Sequence, residues 1–115
     1  MNTNTNNAAT ETMRNVVIGK HVLVRCTASG VHFGELVEWD GGSVVLMHGA
    51  RRLWQWNTGG EGITLSEIAI MGIDQKKSKI SIALPEFIVT DMIEIMPCHG
   101  MAIATIGGAA VAKPE

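Results

Sequence analysis

Between two runs of alternating side chains stands Asp40-Gly41-Gly42, a turn that commits the chain around it to an antiparallel hairpin. Glycine takes the positive φ that tight hairpin turns demand, so Ser43 to Met47 is predicted to fold back on the preceding strand. That strand, Val31 to Trp39, sets Val31, Phe33, Glu35, Val37 and Trp39 on one face against His32, Gly34, Leu36 and Glu38 on the other. Upstream, Lys20 to Cys26 alternates Val22, Val24 and Cys26 with His21, Leu23 and Arg25, and Ser29-Gly30 reads as the turn between the two. A further turn at His48-Gly49 leads to the run Ala50 to Trp56, giving a meander of about four antiparallel strands. Such meanders build small barrels and strongly bent sheets.

Beyond the loop Asn57 to Gly62, Thr64-Leu65-Ser66-Glu67 fits a capping box, with Leu65, Ile68, Ala69 and Gly72 on one helical face and Gly72 as the stop. Asp74 to Lys79 is a polar loop. Strands follow at Ile80 to Leu84 and Phe87 to Ile95, broken by Pro85; Pro97 ends the last, and His99 to Ile106 reads as a short closing helix. The Asn- and Thr-rich residues 1–15 carry no apolar period and are expected to be disordered, residues 16–106 are expected to form a single domain, and 107–115 a flexible tail. The expected class is α+β, a small bent antiparallel sheet or partial barrel of about six strands with one main helix and a short C-terminal helix.

The 115 residues suffice for one modest core. A net charge of −2 argues against a protein that coats nucleic acid, so a phosphate site would have to be local. With 46% hydrophobic residues but only two Phe and no Tyr, the apolar mass exceeds what so small a chain needs, and a second subunit is expected to cover part of it. No stretch reaches the roughly 18 apolar residues of a membrane span, and Met1 to Asn7 lacks a secretory signal, which together predict a cytosolic protein with reduced Cys26 and Cys98.

Binding chemistry concentrates in Ala50-Arg51-Arg52-Leu53-Trp54-Gln55-Trp56, which holds two of the three tryptophans. As a strand it would point Arg52, Trp54 and Trp56 one way and Arg51, Leu53 and Gln55 the other. Guanidinium forks match phosphate oxygens and indole faces stack on bases, so the run suits an anionic, aromatic ligand; equally, the tryptophans could fill the core and the arginines cover an edge. Arg25 and Phe33 lie on neighbouring strands as further candidates. The histidines and cysteines lack zinc spacing, adjacent Cys98 and His99 make a poor nucleophile and base, and Gly59-Gly60-Glu61-Gly62 lacks the Lys of a phosphate loop. Glu35, Glu38, Asp91 and Glu94 show no spacing that pairs two across a substrate. No metal, cofactor or catalytic residue is assigned.

The order Val24-Arg25, Gly34-Glu35-Leu36-Val37, Ala50 to Trp56, Leu65-Ser66-Glu67-Ile68-Ala69 to Gly72, and Ile93-Glu94-Ile95-Met96-Pro97-Cys98 resembles the first type of the phage Thoeris anti-defence family. The resemblance covers roughly residues 18–98. It implies a sponge in the host bacterial cytoplasm that binds glycocyclic ADP-ribose without cleaving it, as a homodimer or hexamer. It also implies cyclic trinucleotides from CBASS systems at a separate site, with no membrane and no nucleic-acid polymer as partner. Carried over onto this chain, it points to Arg25, Arg51, Arg52, Trp54, Trp56 and Thr90 as ligand or interface residues. Two other readings stay open: a nucleotide hydrolase with an essential carboxylate such as Glu35 or Asp91, and a small structural or interaction protein of a phage.

Overall fold

The computed structural model describes residues 11–58 and 64–113. After a first helix, α1 (residues 11–17), come β1 (His21–Cys26), β2 (Val31–Trp39), β3 (Val45–Gln55), α2 (Leu65–Met71), a 3₁₀ turn (Gln75–Lys77), β4 (Lys79–Ile80), β5 (Leu84–Val89), β6 (Met92–Pro97) and α3 (Gly100–Gly107). All strand pairs are antiparallel in the order β4-β3-β2-β1-β6, with β5 beside β4 along the far edge of the long β3. The α+β class with about six strands is therefore what this sequence folds into; α1 is a helix where no ordered element was expected.

A short turn bends this sheet. β5 and β6 stand at opposite edges, four strand spacings apart, which in a flat sheet is about 19 Å. Only Thr90 and Asp91 join them, and three residue steps span at most about 11 Å. The sheet must roll, and the backbone bond from Met92 N to Ser43 O (3.1 Å) ties the returning strand to the β2–β3 hairpin. β5 and β6 do not pair, so the roll stays open.

Rolling gives the sheet two cores. Inside lie Val22, Val24, Cys26, Leu36, Val45, Met47, Ala50, Val89 and Met92, with Val17 of α1 packed against them. Outside, Leu23, Val31, Phe33 and Leu53 meet Ile68 and Ala69 of α2 and Ala102 and Ile106 of α3. Hence three consecutive β1 residues, Val22, Leu23 and Val24, are fully buried. Each such side chain contributes about 1.5–3 kcal/mol relative to exposure.

Several local expectations change. His48-Gly49 is not a turn: β3 runs through it, and Gly49 at φ +63° forms a bulge where Phe33 faces Arg51 but Glu35 faces His48. A second shift between Leu36 and Glu38 turns Trp39 to the inner core, opposite to Val31 and Phe33, with which strict alternation grouped it. Pro85 lies within β5 rather than ending a strand. It faces the Gly49 bulge on a sheet edge, where a missing N–H is harmless, and Thr90-Asp91 makes the break. The capping box forms as read, with the Glu67 carboxylate accepting from the Thr64 backbone N–H at 2.7 Å. Residues 11–15, expected to be disordered, are helical, and the expected flexible tail is docked as far as Ala112, whose N–H donates to Ile80 at 2.9 Å. The Gly59 to Gly62 part of the loop lies outside the described residues.

Candidate ligand-binding site

Adjacent residues of β3 part company. Arg51 is buried on the outer face, where its Nη1 donates to the carbonyls of Ile106 (2.9 Å) and Gly107 (3.1 Å) and its Nε to Ser81 (2.8 Å). Two of those acceptors are the last carbonyls of α3, of which Ile106 O also accepts from Ala109 N–H (3.2 Å), so Arg51 caps a helix and balances its negative pole. Burial pulls its pKa down, though a guanidinium remains charged.

Arg52 points the other way. Among the described residues its side chain makes neither a hydrogen bond nor an ion pair, while its backbone is locked by Ser81: Arg52 N–H donates to Ser81 Oγ (2.7 Å) and Ser81 N–H to Arg52 O (2.9 Å). The free guanidinium stands between two adjoining hollows that share Arg52, Ser81 and Ile82. One, of about 270 Å³, is completed by His32, Ala50, Leu84 and Phe87. The other, of about 620 Å³, is completed by Trp54, Ile80, Val111, Ala112 and Lys113. Trp54 is 66% exposed, an unusual cost in solvated indole, and Lys79 Nζ lies 5.0 Å from its ring centroid. Arg52, Lys79 and Lys113 thus make a basic region around one open aromatic face on a protein of net charge −2.

The other sequence candidates lie elsewhere. Trp56 does not share the Arg52 face: the ladder shifts register between Leu53 and Gln55, and the ring packs against the outer core, meeting Trp54 only across a shallow groove with Gln55, Asn57 and Lys77. Phe33 is 3% exposed in the outer core, stacked on His21 at 5.6 Å. Arg25, whose strand neighbours Val31 and Glu94 set it on the outer face, pairs with Glu94. Thr90 is exposed in the β5–β6 turn, at the end of β5 away from Leu84. Asp91 beside it accepts from Ala28 N (2.7 Å), Ser29 N (3.0 Å) and Ser29 Oγ (2.9 Å), and these donors hold its carboxyl below the usual range.

His32 escaped the sequence reading. Its side chain is 2% exposed, tilted against Phe87 at 4.7 Å, and its Nε2 has no hydrogen-bond partner among the described residues. Burial pushes its pKa down, the Arg52 charge acts the same way, and the Ser29 backbone and Asp91 pull weakly back. A histidine on the same β2 face as Leu36 was the available signal. Cys26 and Cys98 sit near opposite ends of the β1–β6 ladder and cannot be bridged. Burial pushes the Cys98 thiol up to about 12. Among the described residues no group of three or more His, Cys, Asp or Glu could hold a metal ion, and no helix is long and apolar enough to cross a membrane.

No curated protein and no solved structure matches this chain. The domain of unknown function DUF6948 matches residues 19–106, from the start of β1 to the last turn of α3, and the chain belongs to that family.

Proposed function

We propose that this protein binds and holds, without cleaving, an anionic nucleotide of the cyclic ADP-ribose type, glycocyclic ADP-ribose being the first to test. The observation that carries this reading is the pairing of Arg52 and Trp54 on one face of β3, an unpaired guanidinium beside a solvated indole in adjoining hollows. The guanidinium suits the phosphates, and the hollows on either side of it offer flat apolar surface, Phe87 in one and the Trp54 indole in the other, for the groups those phosphates join. Lys79 and Lys113 add positive charge within the same region.

Holding rather than hydrolysis is favoured by the lining. Neither hollow has a carboxylate or thiol among its lining residues. Ser81, the one hydroxyl, is committed, accepting from Arg52 N–H and donating to Ile82 O at 3.0 Å. Both hollows are open to solvent, and nanomolar capture needs about 12 kcal/mol, which such contacts reach only when enclosed. A second copy of the chain supplies the cover in this reading, drawing on exposed Ile82 and Leu84 at the rim.

The test is titration calorimetry with glycocyclic ADP-ribose, followed by heat denaturation and chromatography of what is released. Tight binding with intact nucleotide recovered is the expected result. Altered nucleotide would make the protein an enzyme, and no heat of binding would return Trp54 and Arg52 to a structural role.

A further inference from the structure

His32 Nε2 is a buried polar atom with no hydrogen-bond partner among the described residues, and the His32 side chain is one wall of a hollow of about 270 Å³. Leaving such an atom unpaired is unfavourable, and folded proteins rarely do so without a reason. The hollow far exceeds the roughly 30 Å³ of one water, and its other walls are mostly apolar: Ala50, Ile82, Leu84 and the Phe87 ring. Apolar walls with one fixed polar group are what a flat heterocycle requires, since area supplies the affinity and the single atom supplies orientation.

The ring's protonation selects the group that can meet it. Burial and the Arg52 charge both disfavour the doubly protonated ring, and a neutral imidazole carries one proton. With Nδ1 carrying that proton, Nε2 is left as an acceptor. The partner must therefore donate, and an amino group on a heteroaromatic ring does so in the ring plane. At the mouth, Arg52 is shared with the larger hollow, within reach of a phosphate joined to such a base.

Resting on the nucleotide reading above, we propose that the His32–Phe87 hollow is an aminopurine subsite. The base lies against Phe87 and donates its exocyclic amino hydrogen to His32 Nε2, while Arg52 holds the attached phosphate. The subsite discriminates by the group at that one ring position: a carbonyl there would face Nε2 acceptor to acceptor and leave both unpaired. Trp54 then stacks whatever the ligand carries on the far side of Arg52.

Calorimetry with ADP and with inosine 5′-diphosphate, which carries a carbonyl in place of the amino group, tests this. Wild-type protein is expected to bind ADP about tenfold or more tighter than the inosine analogue, the usual consequence of an unpaired buried partner. His32→Phe, which keeps a ring but removes the acceptor, should lose about the same factor for ADP and none for the inosine compound. Equal affinity of wild-type protein for the two, with ADP still lost in Arg52→Ala, would overturn the base subsite and leave the nucleotide site standing. Failure of both nucleotides to bind wild-type protein would overturn the nucleotide reading and the subsite with it. Should His32→Phe fail to fold, the comparison of ADP with its inosine analogue on wild-type protein decides.

Discussion

Arg51 reaches from β3 across the sheet's outer face to the carbonyl of Ile106 at 2.9 Å, fastening the last turn of α3 to the strand whose next residue, Arg52, is left free. Two consecutive arginines are therefore separable by experiment. Arg51→Leu takes the guanidinium donor from the carbonyls of Ser81 and Gly107 and leaves Ile106 O with the Ala109 N–H, and it is expected to destabilise the fold by about 3 kcal/mol. Arg52→Ala, which removes no hydrogen bond or ion pair among the described residues, should stay within about 0.5 kcal/mol of wild type. Urea unfolding measures both, and equal losses would refute the division of labour.

Binding should respond in the opposite order. Arg52→Ala and Trp54→Ala are each expected to weaken glycocyclic ADP-ribose by at least about tenfold, the lower range for losing a charged phosphate contact or a group packed on the indole face. Arg25→Ala should leave affinity unchanged, because Arg25 is engaged with Glu94 on the other face. Calorimetry on the three variants checks this, and a loss in Arg25→Ala alone would move the site to β1.

How much of this was legible in the residues follows from where alternation holds. The hairpin at Asp40-Gly41-Gly42, the Thr64–Glu67 capping box and the Gly72 stop act over four residues or fewer, and each forms as its local chemistry dictates. Faces were harder. The bulge at Gly49 and the shifts at Leu36 and Leu53 reverse the phase of a strand, so Trp39 and Trp56 land on faces that strict alternation denies them. Arg52 with Trp54 could be read because they lie before the Leu53 to Gln55 shift turns Trp56 away. For His32 the sequence offered only its place on the Leu36 face of β2; its packing against Phe87, distant in sequence, comes from the pairing of β5 with β3.

The buried neutral imidazole also sets a pH dependence. In the unfolded chain His32 titrates at its ordinary 6.5, whereas in the fold burial and Arg52 hold its pKa lower. Below 6.5 the unfolded state binds a proton that the native state refuses, so stability is complete above that pH and falls as the solution is acidified. Asp91 adds a second loss of the same sign only below its ordinary 3.8, where its donors from Ala28 and Ser29 are given up. Urea midpoints at pH 7.5 and 5.5 should differ for wild type and much less for His32→Phe; an unchanged difference in the variant would assign the slope to another group.

Gly72 ends α2 at φ +81° and ψ −163°, a region that only glycine enters freely, and it does so where α3 crosses. A Cβ there would stand 2.2 Å from Thr105 Oγ1 and 2.7 Å from Met101 O. The second of these is helix backbone and cannot swing aside. Thr105 is also held, its Oγ1 accepting from Ile73 N–H at 3.0 Å and donating to Met101 O at 2.7 Å. Gly72→Ala therefore combines backbone strain of about 1–3 kcal/mol with overpacking of similar size. Gly19 supplies the control, since it has the same φ of +81° but nothing within 4 Å of its would-be Cβ. Gly19→Ala should cost about 1 kcal/mol, the strain of left-handed backbone alone, and Gly72→Ala about 3–5 kcal/mol. Thermal unfolding of both variants measures the gap, and equal losses would mean that α2 and α3 approach less closely than these distances require.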